Sequence, residues 1–462
     1  MDYPWWHVPF LTSPMLIALI ATVHVLVAHY AVGGGLFLYW EARYAYRHNR
    51  QDYLEYLKSH AWFFILLTVV FGAITGVGIW WTIGLASPLA TEQLIHTFVF
   101  GWAIEYVFFL VEIVAAFLFY YFWGKLSRRT HLTIGALYAF SAWMSLVLIT
   151  GITAFMLNPG DWPEVQTFWN GFFNPQFIPQ TLARTGGALL LASLYVYLHA
   201  AFRAEGELRD LIARRSSRPA LLGAALVVLG GIGWYIYLPE SAVAALEAAS
   251  ALNLMTLLIF GLTVVVFFML YLGPYRNPSW LSPGFAVLLF AAGLAAFASG
   301  EFIREAVRKP YVVYNVVYSN NIYPEEVPEL RETGYLEGGT WTNAWVRDNY
   351  PSAVDGQGQN ATIDENALTA LPAADRQAVG EVIYQYHCSM CHAAEQGMSA
   401  TAHLVRGWDR EMIYSLVEKP NQFHFFMPPW AGTAEEAELL TDYLASIAPP
   451  SPGGMRQARE SE

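Results

Sequence analysis

The stretch Cys388-Ser389-Met390-Cys391-His392 holds the most specific chemistry in the chain. Its two thiols can form thioether links to the vinyl groups of a haem, and His392, beside Cys391, is placed to ligate the iron. A zinc site would need a second ligand pair of similar spacing, and the chain has no other cysteine. His387, His403 and His424 are alternative iron ligands. Three further residues, His24, Glu105 and Glu112, lie within long apolar stretches. An ionisable group at such a depth is costly unless it ligates, pairs or relays protons. Glu105 and Glu112 share one helix stripe. His24 could also be a satisfied core histidine, and Glu105 a helix-helix hydrogen bond. Gly33, Gly34 and Gly35 would admit either a macrocycle or a close helix.

The elements that must position these residues follow from composition. The 462 residues are 55% hydrophobic and only 13% charged, with 17 Trp, which points away from a soluble domain. Eight apolar stretches, at roughly 14–40, 61–85, 95–123, 131–157, 178–201, 219–238, 252–273 and 283–303, are long enough or nearly so to cross a bilayer. Trp5, Trp6 and Phe10 read as an interfacial aromatic belt. The loops after spans one, three, five and seven hold Arg43, Arg47, Arg50, Lys58, Lys125, Arg128, Arg129, Arg203, Arg209, Arg214, Arg215, Arg218 and Arg276. The N-terminus and the remaining loops up to span seven hold no Lys or Arg. The positive-inside rule then puts both ends outside. The expected location is a bacterial inner membrane, crossed many times, with the C-terminal domain on the periplasmic side. His7, His60, His96, His131 and His199 fall near the membrane faces, which favours interfacial roles.

Charge divides the chain again. Residues 1–309 hold 17 Lys/Arg against 16 Asp/Glu, and 310–462 hold 8 against 21. An acidic tail is often only solvated surface, though its field can steer a basic partner. Residues 376–387 can form a helix leading into the Cys pair. Met427-Pro428-Pro429-Trp430 follows, and then an acidic helix over 433–446. This tail resembles the class I cytochrome c family over about 372–450. The resemblance implies Met427 as the second iron ligand, so that His392 and Met427 would hold an electron-transfer haem with no open position.

The membrane body resembles subunit I of cytochrome bd oxidase over roughly 10–315. The carriers are His24 in span one, Gly72-Ala73-Ile74-Thr75-Gly76 in span two, and Glu105, Glu112 and Trp123 around span three. Met156-Leu157-Asn158-Pro159 follows span four, and Glu305, Arg308, Pro310 and Tyr311 follow the last span. The resemblance implies His24 and Glu105 as haem-iron ligands, Glu112 as a proton-path carboxylate, and Glu305 with Arg308 near haem propionates. The sequence departs from the family in three places. No histidine stands near Ile178-Pro179-Gln180, where the family's low-spin haem takes a ligand, which leaves Met255 without its partner. The quinol loop shrinks to about Pro239–Ala251. The family's last span is replaced by the acidic tail.

The expected fold is all-α: an eight-span transmembrane helix bundle plus a small all-α class I cytochrome c domain. The expected domains are 1–311, the haem-binding membrane part; 312–371, a connecting strap; 372–450, the cytochrome c domain; and 451–462, a disordered tail. One covalent haem c and one or two non-covalent haems of b or d type are expected. The leading functional reading is a respiratory membrane haem protein, a cytochrome bd-like oxidoreductase that reduces oxygen with a c-type donor. The alternative is an electron-conduit or anchor subunit of a larger respiratory complex, linking a quinone or membrane partner to an outer cytochrome. The expected partners are the membrane and a redox protein, either a c-type cytochrome or another respiratory subunit, with quinone as a further candidate and no nucleic acid.

Overall fold

The computed structural model describes residues 6–356 and 361–449. Trp5, Gly358 and the 451–462 tail lie outside the described residues. Among the described residues, eight helices are long and apolar enough to cross a membrane: Ser13–Arg47, Gln51–Ala86, Val99–Tyr121, Arg128–Ala154, Phe177–Arg203, Gly206–Ile236, Ser250–Arg276 and Pro283–Ala306, hereafter spans one to eight. The protein is 77% helical. Among the described residues, strand structure is limited to two short antiparallel pairs, Tyr311–Val313 with Val317–Tyr318 and Val354–Asp355 with Thr362–Ile363.

Span six differs most from expectation. It starts at Gly206, so Arg209, Arg214, Arg215 and Arg218 lie on its first turns, not in a loop. Pro219 sits inside this helix, where it removes one backbone donor. One turn earlier, the Ser193 hydroxyl of span five donates to the Ser216 carbonyl at 3.1 Å. Hydropathy alone starts such a span too late, because the charged first turns are helical before the apolar window begins. Span two likewise starts at Gln51 and passes through a π-helical turn at Leu66–Phe71.

Two compact units share the chain. The membrane unit comprises Ala18–Trp80 and Glu92–Arg308. Lipid tails are as apolar as leucine, so helices associate there through close packing more than through water exclusion. Glycines supply the approach. A Cβ at Gly186 would stand 2.5 Å from the Gly223 carbonyl oxygen, and one at Gly33 only 2.0 Å from that of Ala188. At Gly34 and Gly35 a Cβ would meet the rings of Phe64 and Tyr138. Helix packing therefore accounts for all three glycines of span one.

The second unit comprises Met1–Ile17, Trp81–Thr91 and Lys309–Glu462. Its helices Ala373–His387 and Ala434–Ile447 cross closely at Gly380, where a Cβ would lie 2.2 Å from the Leu439 carbonyl oxygen. Segment 312–371, expected as a strap, carries helices of its own at Val327–Gly338 and Thr342–Asn349. Its Tyr335, Leu336, Trp341 and Val346 join the core of Val379, Ile383, Leu439 and Leu440. Each such side chain contributes about 1.5–3 kcal/mol on burial, which outweighs the turn-forming composition around it. The N-terminal segment joins the same unit, with the Met398 N–H donating to the Phe10 carbonyl at 2.8 Å.

Candidate functional site

The Ala373–His387 helix ends directly at the cysteine pair, and Cys391 N–H donates back to the Cys388 carbonyl at 3.1 Å. The turn thereby presents two free thiols on a tight loop. Burial pushes the Cys388 thiol up to about 12, with Cys391 adding to the shift, so it stays protonated. Lys309 Nζ lies 3.3 Å from the Cys391 sulfur.

His392 has its Nδ1 2.9 Å from the Ser399 carbonyl oxygen. That bond fixes the ring through Nδ1 and leaves Nε2 as the atom that could ligate, the usual outer-shell device for a metal-bound histidine. Ser399 reaches the position with φ of 48°, a left-handed conformation costly for a residue with a Cβ. Burial lowers the His392 pKa, and the nearby Lys309 and His424 charges lower it further, which keeps the imidazole neutral and able to ligate.

The alternative ligands are otherwise engaged. His387 is buried, with Nδ1 2.7 Å from the Tyr335 hydroxyl and 3.1 Å from the Asn320 amide nitrogen. Burial pulls its pKa down to about 4. His403 meets Arg406 at 2.9 Å, and His424 stacks on Phe426 with ring centroids 5.2 Å apart. Met427 lies in the following loop, its N–H donating to the His424 carbonyl at 2.9 Å. Leu404 and Phe423 are each 53% exposed, and Phe425 and Phe426 are also exposed. Exposed apolar side chains in this unit, two cysteine thiols on one turn and the adjacent imidazole fit a haem that Cys388, Cys391 and His392 would hold.

In the membrane unit, His24 of span one has Nδ1 3.1 Å from the Thr75 hydroxyl of span two. Thr75 itself bonds to the Phe71 and Gly72 carbonyls, at the end of the π-helical turn. A Cβ at Gly76 would stand 3.1 Å from His24 Cε1, so glycine keeps the ring edge clear. Glu105 accepts a hydrogen bond from the Ser145 hydroxyl of span four. Two turns further along the same stripe, Glu112 accepts from the Tyr138 hydroxyl at 3.0 Å. Span four thus holds both carboxyls through partners that sequence reading missed. Glu305 pairs with Arg308, whose Nη1 lies 3.3 Å from Met156 Sδ. The structure therefore sets the predicted residues in three places: His24 on Thr75, Glu105 with Glu112 along span four, and the Glu305–Arg308 pair.

The residues at the position of the family's low-spin haem do not fit that group. Gln180 is buried where the family ligand would stand, and Met255 packs with Ile259 and Ile303 in an apolar cluster. A charged group appears instead. Glu301 pairs with Arg304 at 2.9 Å, and Arg184 of span five donates to Thr150 at 3.3 Å.

Helical haem-binding membrane unit and CxxCH domain together define a respiratory type of haem oxidoreductase. Residues 13–234 match the family model of cytochrome bd terminal oxidase subunit I, and residues 375–444 match that of cytochrome c oxidase, cbb3-type, subunit III. The chain therefore joins a membrane domain of the cytochrome bd subunit I type to a c-type cytochrome domain. The solved bd oxidase from Geobacillus thermodenitrificans has the same fold over 65% of this chain and 87% of its own, with a TM-score of 0.55 and 18% identity. Comparison with curated proteins finds no match.

Proposed function

We propose that this protein is a cytochrome bd-like oxidoreductase that reduces oxygen with electrons from a c-type donor. The observation that carries it is His24, held through Nδ1 by Thr75 and cleared at its edge by Gly76, which leaves Nε2 as one ligating atom for a membrane haem. Haem supplies electron storage and, where the protein gives a single ligand, an open iron position for oxygen. Glu105, fixed by Ser145, is the second candidate ligand. Glu112, fixed by Tyr138, holds a proton within the same span, and Arg308 offers a cation to a propionate. Cys388, Cys391, His392 and Met427 would hold the c haem. The basic loops face the cytoplasm of a bacterial inner membrane, with the c domain outside. Its acidic surface suits a basic c-type cytochrome or another respiratory subunit, and the short 239–251 connection argues against an ordinary quinol site.

The test is spectroscopic. The reduced full-length protein should bind carbon monoxide at a non-covalent haem and consume oxygen when supplied with a reduced c-type donor. Carbon monoxide leaving every haem spectrum unchanged would overturn the oxidase reading in favour of an electron conduit to a larger complex. A narrower test concerns Met427. Met427→Ala should keep the covalent haem but lose the weak near-infrared absorbance that marks oxidised methionine-ligated iron. Persistence of that band would remove Met427 from the ligand set.

A further inference from the structure

One cation of the second unit is placed unlike the rest. Residues 310–462 hold 21 Asp and Glu against 8 Lys and Arg, so a basic group there readily finds a carboxylate. Arg376 pairs with Asp442, Arg410 with Asp442 and Glu438, and Lys419 with Glu418. Lys309 does not follow them. Its Nζ lies 3.3 Å from the Cys391 sulfur, and among the described residues no carboxylate comes within ion-pair reach of it. Neither the haem attachment nor the ligand set uses this ammonium.

The backbone around Lys309 holds it there. Lys309 leads into the hairpin of Tyr311–Val313 and Val317–Tyr318, where the Ser319 N–H donates to the Pro310 carbonyl at 2.9 Å. The Tyr311 and Tyr318 rings stack across it, 4.7 Å between centroids. Its far arm meets the same turn: Ser319 Oγ lies 3.9 Å from the Cys391 sulfur, and the Asn320 amide nitrogen 3.1 Å from His387 Nδ1. Ser319 and Asn320 are buried, and Lys309 is half-buried. The hairpin thus grips the Cys388–His392 turn with both arms and sets one ammonium on its second sulfur. A lysine ordinarily keeps its head in water, and ordering it against a neutral sulfur costs rotamer freedom and hydration. An apolar side chain would pack on that sulfur without this cost, so the charge itself calls for a use. A thioether joins the sulfur to the rim of the macrocycle, which puts a cation on the sulfur beside the porphyrin. Reduction of ferric iron adds one negative charge. A neighbouring cation stabilises that charge, and it does so more strongly in a half-buried place than in open water. The field of Lys309 also reaches the His392 ring, whose pKa it helps to lower.

We infer that Lys309 sets the potential of the c haem, its ammonium raising that potential against the acidic unit so that a c-type donor can reduce the iron. The inference rests on the c-haem reading at Cys388, Cys391 and His392. One electron passes from the donor to the ferric iron, and the ammonium keeps its proton and its contacts in both redox states.

The experiment is an anaerobic redox titration of the full-length haem-loaded protein, read at the c-haem absorbance. Lys309→Gln should keep the covalent haem and lower its midpoint potential. The equilibrium constant for reduction should fall about tenfold, which is about 59 mV for one electron. Lys309→Glu should lower the potential about twice as far, and Lys309→Arg should hold it near the wild-type value. Arg410→Gln removes an exposed, ion-paired charge from the same unit and should shift the potential much less. An unchanged midpoint in Lys309→Gln overturns the inference. So does an equal fall in Arg410→Gln, which would make the effect one of overall charge. An equal fall in Lys309→Arg would likewise assign it to packing. If Lys309→Glu attaches no haem, the Gln and Arg variants decide. A haemochrome assay of the wild type judges the c-haem reading separately, since absence of covalent haem there overturns that reading and the inference with it.

Discussion

Replacement of His24 by alanine is expected to strip a non-covalent haem from the membrane unit while the c haem stays bound. The ring is held locally, by Thr75 at 3.1 Å and the Gly72 backbone, so the substitution costs the fold a local hydrogen-bond contact and a modest cavity. Loss of the ligand removes the reaction centre itself. Donor-driven oxygen consumption should fall by about two orders of magnitude or more, equivalent to about 2.7 kcal/mol of barrier. Thr75→Val should give a milder form, with haem affinity down by about 10–100-fold, since it removes only the group that orients the ring. A haemochrome assay separates the covalent from the extractable pigment. An unchanged extractable fraction in His24→Ala would return His24 to the status of a core histidine.

A second large effect is expected at Glu436, whose carboxyl is wholly buried in the second unit. It accepts from the N–H groups of Tyr335 at 2.8 Å, Leu336 at 2.6 Å and Thr433 at 3.2 Å. Glu436→Ala would leave the first two donors buried without an acceptor, at about 1–3 kcal/mol each. The same carboxyl sets a pH dependence. Burial, with the Glu365 carboxyl nearby, pushes Glu436 up to about 8 against the pull of its backbone donors. Burial pushes Glu365 up to about 7, with Glu435 and Glu337 adding. Both values lie above the ordinary 4.5, so folding takes up protons. The associated stability is full below about pH 4.5 and is lost as pH rises toward 8. Thermal unfolding followed at the c haem should therefore show a melting temperature that falls over that range. Glu365→Gln should flatten the slope and raise the value at pH 8 by removing the like charge. An unaltered slope in Glu365→Gln would locate the dependence elsewhere.

Much of this was legible in the residues, and the gaps have physical causes. The cysteine pair and His392 could be read because their chemistry is local, within five residues. The eight spans could be read because a bilayer demands long apolar runs. What holds Glu105 and Glu112 could not be read, since Ser145 and Tyr138 are ordinary span-four residues until tertiary packing turns them inward. His60 and His199 looked interfacial because Lys58 and Arg203 stand beside them. In the structure His60 is fully buried, and a single helical turn separates it from the charged end. His131 is buried too, its Nε2 2.9 Å from the Phe119 carbonyl oxygen, whereas His96 is exposed near Glu92. Segment 312–371 hid Tyr335 and Trp341 behind its glycines and turn formers. Thr433 and Glu436 have the spacing of a capping box, and the structure shows one. The reach of Glu436 to residues about a hundred positions earlier leaves no trace in any local pattern.

The make-up of the second unit bears on the order in which the protein can assemble. Its pieces come from the first residues, from the stretch around Trp81–Thr91 and from everything after Arg308. The Phe10 carbonyl waits for the Met398 N–H, and the Ala86 carbonyl waits for the Asn321 amide at 3.1 Å. These closures span hundreds of residues, so their contact order is high and their formation slow. During synthesis the early pieces emerge long before their partners, and the unit can close only after all eight spans have been made. Haem attachment at Cys388 and Cys391 thus falls at the end of the assembly line. Chains that stall earlier leave the Phe10 and Ala86 carbonyls without their late partners, a mark of immaturity that quality control can read.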